Sequence, residues 1–300
     1  MNHIEISSLC FFCFLLTFAH LFTAFINTYI MEKPRILFVE QAITPYLKET
    51  HMSKIGRFLP QGIQERGKEI RTFMPRFGSI NERRNQLHEV IRLSGMNLII
   101  NDTDHPLIIK VASIQQARMQ IYFIDNEDFF HRKFTIKDKA GRFYEDNDER
   151  TIFFSRGVLE TVKKLGWGPD IIHCHGWMSA LVPLYVKRVY KDNPLFSDSK
   201  VVYSLYGDDF KETFRDTFEK KLRLPGITPK DLKYYKESSY VNITKAAIDY
   251  ADAIIVASEK VNPELLEYLE EKKKPILVHP SVDNYVESYN AFFDSLLGKK

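Results

Sequence analysis

Two histidines spaced by one residue, His173 and His175, end an apolar run and open onto Gly176 and Trp177. On an extended segment, side chains at that spacing point to the same face. Such a pair can share a proton or begin a metal site, but zinc needs a third ligand of suitable type, and none is adjacent, so no metal is expected. His173 reads as a buried, hydrogen-bonded residue. His175, at the exit of the run, is placed to face a cleft. A second concentration of polar chemistry is Glu145-Asp146-Asn147-Asp148-Glu149-Arg150, just ahead of a helical pattern. Asp148 and Glu149 suit the positive end of a helix. Asp146, Asn147 and Arg150 offer the acceptors and donors that vicinal sugar hydroxyls require. The third is Lys48, in Pro45-Tyr46-Leu47-Lys48, a mobile point charge able to meet a phosphate.

Several common chemistries are missing. No G-x-G-x-x-G follows the first apolar run and no G-x-x-x-x-G-K-[ST] occurs, which argues against a dinucleotide oxidoreductase or a P-loop NTPase. There is no G-x-S-x-G nucleophile elbow either.

Elements must bring these residues together. Short β-branched or aromatic runs alternate with longer helical patterns, the signature of a parallel sheet covered by helices. The runs predict strands at Arg35–Val39, Glu69–Met74, Met119–Ile124, Asp170–Cys174, Lys200–Leu205, Ala253–Ala257 and Pro275–Val278. Ile55, Phe58, Leu59 and Ile63 recur at helical spacing, as do Ile152, Phe153, Val158, Leu159, Val162 and Leu165. Residues 81–110 predict a helix followed by an antiparallel strand pair turning at Asn101-Asp102-Thr103-Asp104. The fold class expected is α/β: one Rossmann-like, doubly wound, mostly parallel sheet with helices on both faces. Ligands of such a sheet bind at the carboxyl ends of its strands, which is where Lys48 and His175 would lie.

Composition is that of a globular domain, with 44% hydrophobic and 27% charged residues. A net charge of +3, with basic and acidic residues interleaved, points away from nucleic acid. Cys10, Cys13 and Cys174 are too few for a disulfide framework. The pair Cys10 and Cys13 stands in an apolar run from Leu9 to Ile30, without polar neighbours for redox or zinc chemistry. That run is long enough to cross a bilayer. However, Glu5 precedes it without any Lys or Arg, so the basic start of a signal peptide is lacking. Met31 directly precedes the first strand. Residues 1–30 are therefore read as an apolar leader from start-site choice, with 31–300 a cytoplasmic domain. The alternative is a single-pass anchor through residues 9–30.

The three sites, in this order, resemble the N-terminal domain of glycogen and starch synthases, retaining glycosyltransferases of the GT-B fold. Pro45-Tyr46-Leu47-Lys48 with Leu59-Pro60 matches the family's loop after the first strand. Asp146-Asn147-Asp148-Glu149-Arg150 is similar to its Asp-Asn-x-x-Arg, and Asp170 to Trp177 to its Asp-x-x-His-x-His-Asp-Trp. Thr50 and His51 stand where the family has paired glycines, Gly176 where it has Asp, and Ser204-Leu205-Tyr206-Gly207 where it has Thr-x-His-Asn. The resemblance implies one half of a GT-B enzyme that transfers glucose from ADP-glucose to an α-1,4-glucan end, with no separate cofactor. It implies Lys48 at the diphosphate, His175 and Asp146 as catalytic residues, and Asn147, Arg150 and Trp177 as substrate contacts. The family's second domain binds most of the nucleotide sugar, so the chain alone is expected not to transfer glucose. Alternative roles are a non-catalytic glucan-binding or regulatory domain, or a half-site completed by a partner protein.

Overall fold

The computed structural model describes residues 33–280 and 284–298. Ten strands form the sheet: β1 Arg35–Glu40, β2 Glu69–Pro75, β3 His88–Glu89, β4 Met96–Ile100, β5 Thr103–Ile114, β6 Met119–Asp125, β7 Ile171–His175, β8 Lys200–Leu205, β9 Ala253–Val256 and β10 Ile276–Val278. Eight α-helices connect them: α1 His51–Glu65, α2 Glu127–Phe130, α3 Asn147–Leu165, α4 Val182–Arg188, α5 Phe218–Lys221, α6 Tyr240–Tyr250, α7 Pro263–Glu270 and α8 Tyr285–Leu296, counted among the described residues.

The strand order is β10-β9-β8-β7-β1-β2-β6-β5-β3, with β4 paired to β5. Pairings from β10 through β6 are parallel, and the antiparallel pairings are those of β5 with β6, β3 and β4. From β1 the chain steps outward to β2 and β6, then returns to β7 and steps outward the other way. The carboxyl ends of β1 and β7 are therefore the topological switch point, where a crevice opens in sheets of this kind.

Both faces of the sheet are covered. Leu37 and Val39 of β1 face a large core shared with α3, α4, α6 and α7, whereas Ile36 and Phe38 face a smaller one with α1 and α8. This alternation is why β1 and β7 read as continuous apolar runs. In the smaller layer α8 lays Tyr289 and Phe293 against the sheet and ties to the turn after α1: Lys68 reaches Asn290 at 2.6 Å and Asp294 at 2.8 Å.

The hairpin expected around residues 101–104 is present. Ile100 pairs with Thr103, leaving Asn101 and Asp102 as a two-residue loop at φ 51° and 61°. Positive φ at both positions is the type I′ signature, and Asn and Asp tolerate it. The helix expected ahead of it does not form. Residues 81–87 are turns, with the Asn81 side chain accepting from the amide of Arg84, and His88–Glu89 adds a short strand to β5. Glu82 is drawn into a cluster with Arg76 and Lys110 instead of lying along a helix face. Cys10, Cys13 and the 1–30 leader lie outside the described residues. No helix among the described residues is long and apolar enough to cross a membrane.

Candidate active site at the carboxyl edge

The loop after β1 runs Gln41 to Thr50 into α1. Thr50 caps that helix: its hydroxyl accepts from the Ser53 amide at 3.1 Å, and the Ser53 hydroxyl accepts from the Thr50 amide at 2.8 Å. This reciprocal capping box explains how α1 starts without the glycines of the related loop, but it occupies an amide that a phosphate would otherwise use. His51, the first helical residue, directs Nε2 to the carbonyl of Ala257 at 2.7 Å. Lys48 is exposed and lines a cavity of about 440 Å³ with Tyr46, Ser79, Lys133, Phe134 and Thr135. Phe134 is 40% exposed, an aromatic face open to solvent beside two lysines. Such a lining suits a sugar ring carrying or approaching negative charge.

The three polar residues at the start of α3 do not line this cavity; they hold the loop that does. Arg150 and Asn147 are fully buried. The Arg150 guanidinium donates to the carbonyls of Phe129 at 2.7 Å and Thr135 at 2.6 Å, and to Asn147 Oδ1 at 2.5 Å. Asn147 in turn donates to the carbonyl of Ile136 at 2.9 Å. Burial pushes the guanidinium pKa down to about 10, and the rings of Phe130 and Tyr144 flank it. Asp146 makes a bidentate pair with Arg132, at 2.6 and 2.5 Å, on the same loop. Residues 129–136 are thus gripped at five points by a motif that touches no open space itself, save the partly exposed Asp146 carboxylate.

His175 is likewise buried. Its Nδ1 meets the Tyr206 hydroxyl at 2.8 Å and its Nε2 meets Nδ1 of His173 at 3.0 Å, while His173 Nε2 meets the Ser204 hydroxyl at 2.7 Å. Burial drives the His175 pKa down to about 3, and burial with its neighbour His175 drives His173 down as well. Both imidazoles are neutral in this environment. Under them sits Glu40, the last residue of β1, fully buried with no hydrogen bond to either carboxyl oxygen among the described residues. His175 Nε2 is 3.3 Å from Glu40 Oε1 but is committed to His173. Burial raises the Glu40 pKa well above the carboxylate range. A Cβ on Gly56 of α1 would stand 2.9 Å from Glu40 Oε2, so only glycine lets the helix cross the end of β1 this closely.

Trp177 is 1% exposed and packs edge-on to Phe210 and Phe214. Its backbone amide donates to Asp208, whose carboxyl burial pushes up to about 6. Gly176 adopts φ 79°, and a Cβ there would lie 2.6 Å from the Gln41 side-chain oxygen. An aspartate at this position would collide, and Gln41 accepts the Met178 amide in its stead, at 3.0 Å. Lys48, Asp146 and His175 therefore share the carboxyl edge, but only Lys48 reaches the cavity. Lys133, Phe134, Glu40 and Gln41 were not singled out by sequence. An exposed Lys-Phe in an irregular loop carries no periodic signal, and Glu40 continues an apolar strand. No cluster of His, Cys, Asp and Glu suited to a metal occurs among the described residues.

Residues 35–276 match the profile of the starch synthase catalytic domain. Glycogen synthase of Chlorobium limicola is 32% identical over 235 residues, covering 77% of this chain and 47% of that protein. Glycogen synthase of Chlorobaculum tepidum is 34% identical over 235 residues, covering 78% of this chain and 47% of the relative. The chain thus spans about half the length of the curated relatives it matches. Among solved structures, the catalytic domain of starch synthase IV from Arabidopsis thaliana, bound to ADP and acarbose, superposes with a TM-score of 0.65 at 16% identity, covering 84% of this chain and 54% of that one.

Proposed function

This chain belongs to the starch synthase catalytic domain family, and from that premise we propose that it forms the glucan-facing half of a site that moves glucose from ADP-glucose to the 4-hydroxyl of an α-1,4-glucan. The observation that carries the reading is the cavity after β1. It lies above the carboxyl ends of β1, β2 and β6 and joins two lysines, neither with a carboxylate partner among the described residues, to an exposed aromatic ring. Lys48 would stabilise charge developing on the departing diphosphate, while Lys133 and Phe134 would hold the sugar. Asp146, Asn147 and Arg150 serve as positioning residues, fixing residues 129–136 at the cavity wall. The likeness to glycogen synthases and to a starch synthase bound to ADP and acarbose supports this reading.

Transfer by these 300 residues alone is not expected. The described residues furnish one wall of the crevice, Thr50 already holds the Ser53 amide, and His175 is fully buried. Loss of one donor to a developing oxyanion costs about 3 kcal/mol, and losses in one site compound even when they do not add. A radiolabelled assay with ADP-glucose and glycogen tests this: no incorporation is expected. Turnover that disappears in Lys48→Ala would overturn it.

A further inference from the structure

The opposite edge of the sheet carries a separate cavity of about 540 Å³, between the ends of α4 and α6 and the segment 226–234. Both helices run back from the carboxyl edge, and only Ala251 and Asp252 separate Tyr250 from β9, so this is the amino edge. The floor is a closed scaffold. Asp231, 4% exposed, accepts from Arg188 Nε at 2.7 Å, from the amide and hydroxyl of Thr228 at 2.8 and 2.7 Å, and from the Tyr250 hydroxyl at 2.6 Å. Asp249 accepts from the hydroxyls of Tyr234 at 2.7 Å and Tyr268 at 2.8 Å, and pairs with Lys272 at 2.8 Å. Burial alone would raise the Asp231 pKa, but the bonds from Thr228, Tyr250 and Arg188 outweigh it and hold the carboxyl low. Aromatic faces are taken too: Arg188 lies 5.0 Å over Tyr250 and Lys233 lies 4.4 Å over Tyr234.

Carboxylates, hydroxyls and rings being engaged, what the cavity offers a ligand is cations. Arg188, Lys191, Lys230 and Lys233 against Asp231 and Asp249 leave the lining at net +2. Lys230 has no carboxylate partner among the described residues, and Lys191 has only an exposed Asp192 at 3.8 Å. Arg188 Nε is spent on Asp231 and its Nη1 meets the Lys187 carbonyl at 3.3 Å, so its Nη2 and the flanking lysines are the donors left for phosphate oxygens, and a phosphomonoester dianion balances the charge. The volume lies within the range of small-molecule sites and exceeds what a bare phosphate fills.

We propose that the amino-edge cavity formed by Arg188, Lys191, Lys230 and Lys233 binds a phosphomonoester carried on a sugar, free or as part of a glucan chain. The depth of the sheet separates it from the carboxyl-edge cleft, so its ligand is neither donor nor acceptor in the proposed transfer. Calorimetric titration of the full chain with inorganic phosphate, glucose 1-phosphate and glucose tests it. Saturable binding is expected for the two phosphates and tightest for glucose 1-phosphate. It should weaken by roughly tenfold or more in the double variant Lys230→Ala/Lys233→Ala, two exposed residues without a carboxylate partner among the described residues. Lys48→Ala should leave it unaltered, which separates this site from the cleft. Phosphorylated maltodextrin binding better than the same dextrin after phosphatase treatment, with the same variant sensitivity, assigns the phosphate to a glucan; binding of glucose 1-phosphate alone assigns it to a free sugar. No saturable binding of any phosphate, or binding indifferent to the double variant, overturns the proposal.

Discussion

Arg150 shows how a residue can matter to a site that it never touches. Its guanidinium is spent on the backbone of the loop bearing Lys133 and Phe134. Arg150→Ala leaves two carbonyls and Asn147 without their charged donor, and should lower stability by about 3 kcal/mol or more in urea unfolding. The sequence displayed the Asp-Asn-x-x-Arg cluster clearly, but burial decides whether such groups meet a ligand or the protein's own backbone, and burial of a helix's first turn depends on what folds over it. His175 makes the same point through pH. Its folded pKa of about 3 lies below the roughly 6.5 of an unfolded histidine, so the unfolded chain binds more protons between these values. The stability linked to it is complete above about pH 6.5 and falls as pH drops towards 3, by about 1.4 kcal/mol per unit at most. Unfolding titrations at pH 5 and 7 should show this slope reduced in His175→Gln. Glu40 has the opposite sign: its folded pKa is raised, so its cost grows as pH rises above the unfolded value. Glu40→Gln should therefore gain on the wild type between pH 5 and 8.

Among the elements, the parallel strands were legible because burial on both faces writes itself as unbroken apolar runs; β8 falls at Lys200–Leu205, as its run predicts. The I′ hairpin was legible for a local reason, two residues that tolerate positive φ. What could not be read was residues 81–95. Their charged residues fit a helix in isolation, but Arg76 and Lys110, distant in sequence, claim Glu82. The start of α1 is a case of substitution by a different device. Where related loops have glycines, Thr50 and Ser53 cap each other's amides. Thr50→Ala should cost about 1 kcal/mol in thermal or denaturant unfolding, and Thr50→Gly only a few tenths. An equal cost for both would mean that the cap bond is not what holds the helix start.

At the scale of the molecule, one sheet presents two chemically different edges. The carboxyl edge offers an aromatic ring with lysines above β1, β2 and β6, and the amino edge offers clustered cations over a saturated tyrosine–aspartate floor. Fold and family were legible from the order of motifs, whereas the loop surfaces that face ligand were not, since residues 129–136 owe their position to contacts from α3. The central claim is that the carboxyl-edge cavity receives an α-1,4-glucan. Calorimetric titration of the purified chain with maltoheptaose tests it most directly. The account predicts saturable binding that weakens about tenfold in Phe134→Ala, an exposed ring whose removal spares the core, and that is unchanged in Lys230→Ala/Lys233→Ala. Maltoheptaose binding with equal affinity to wild type and Phe134→Ala, or no binding by a chain shown to be folded, would contradict it.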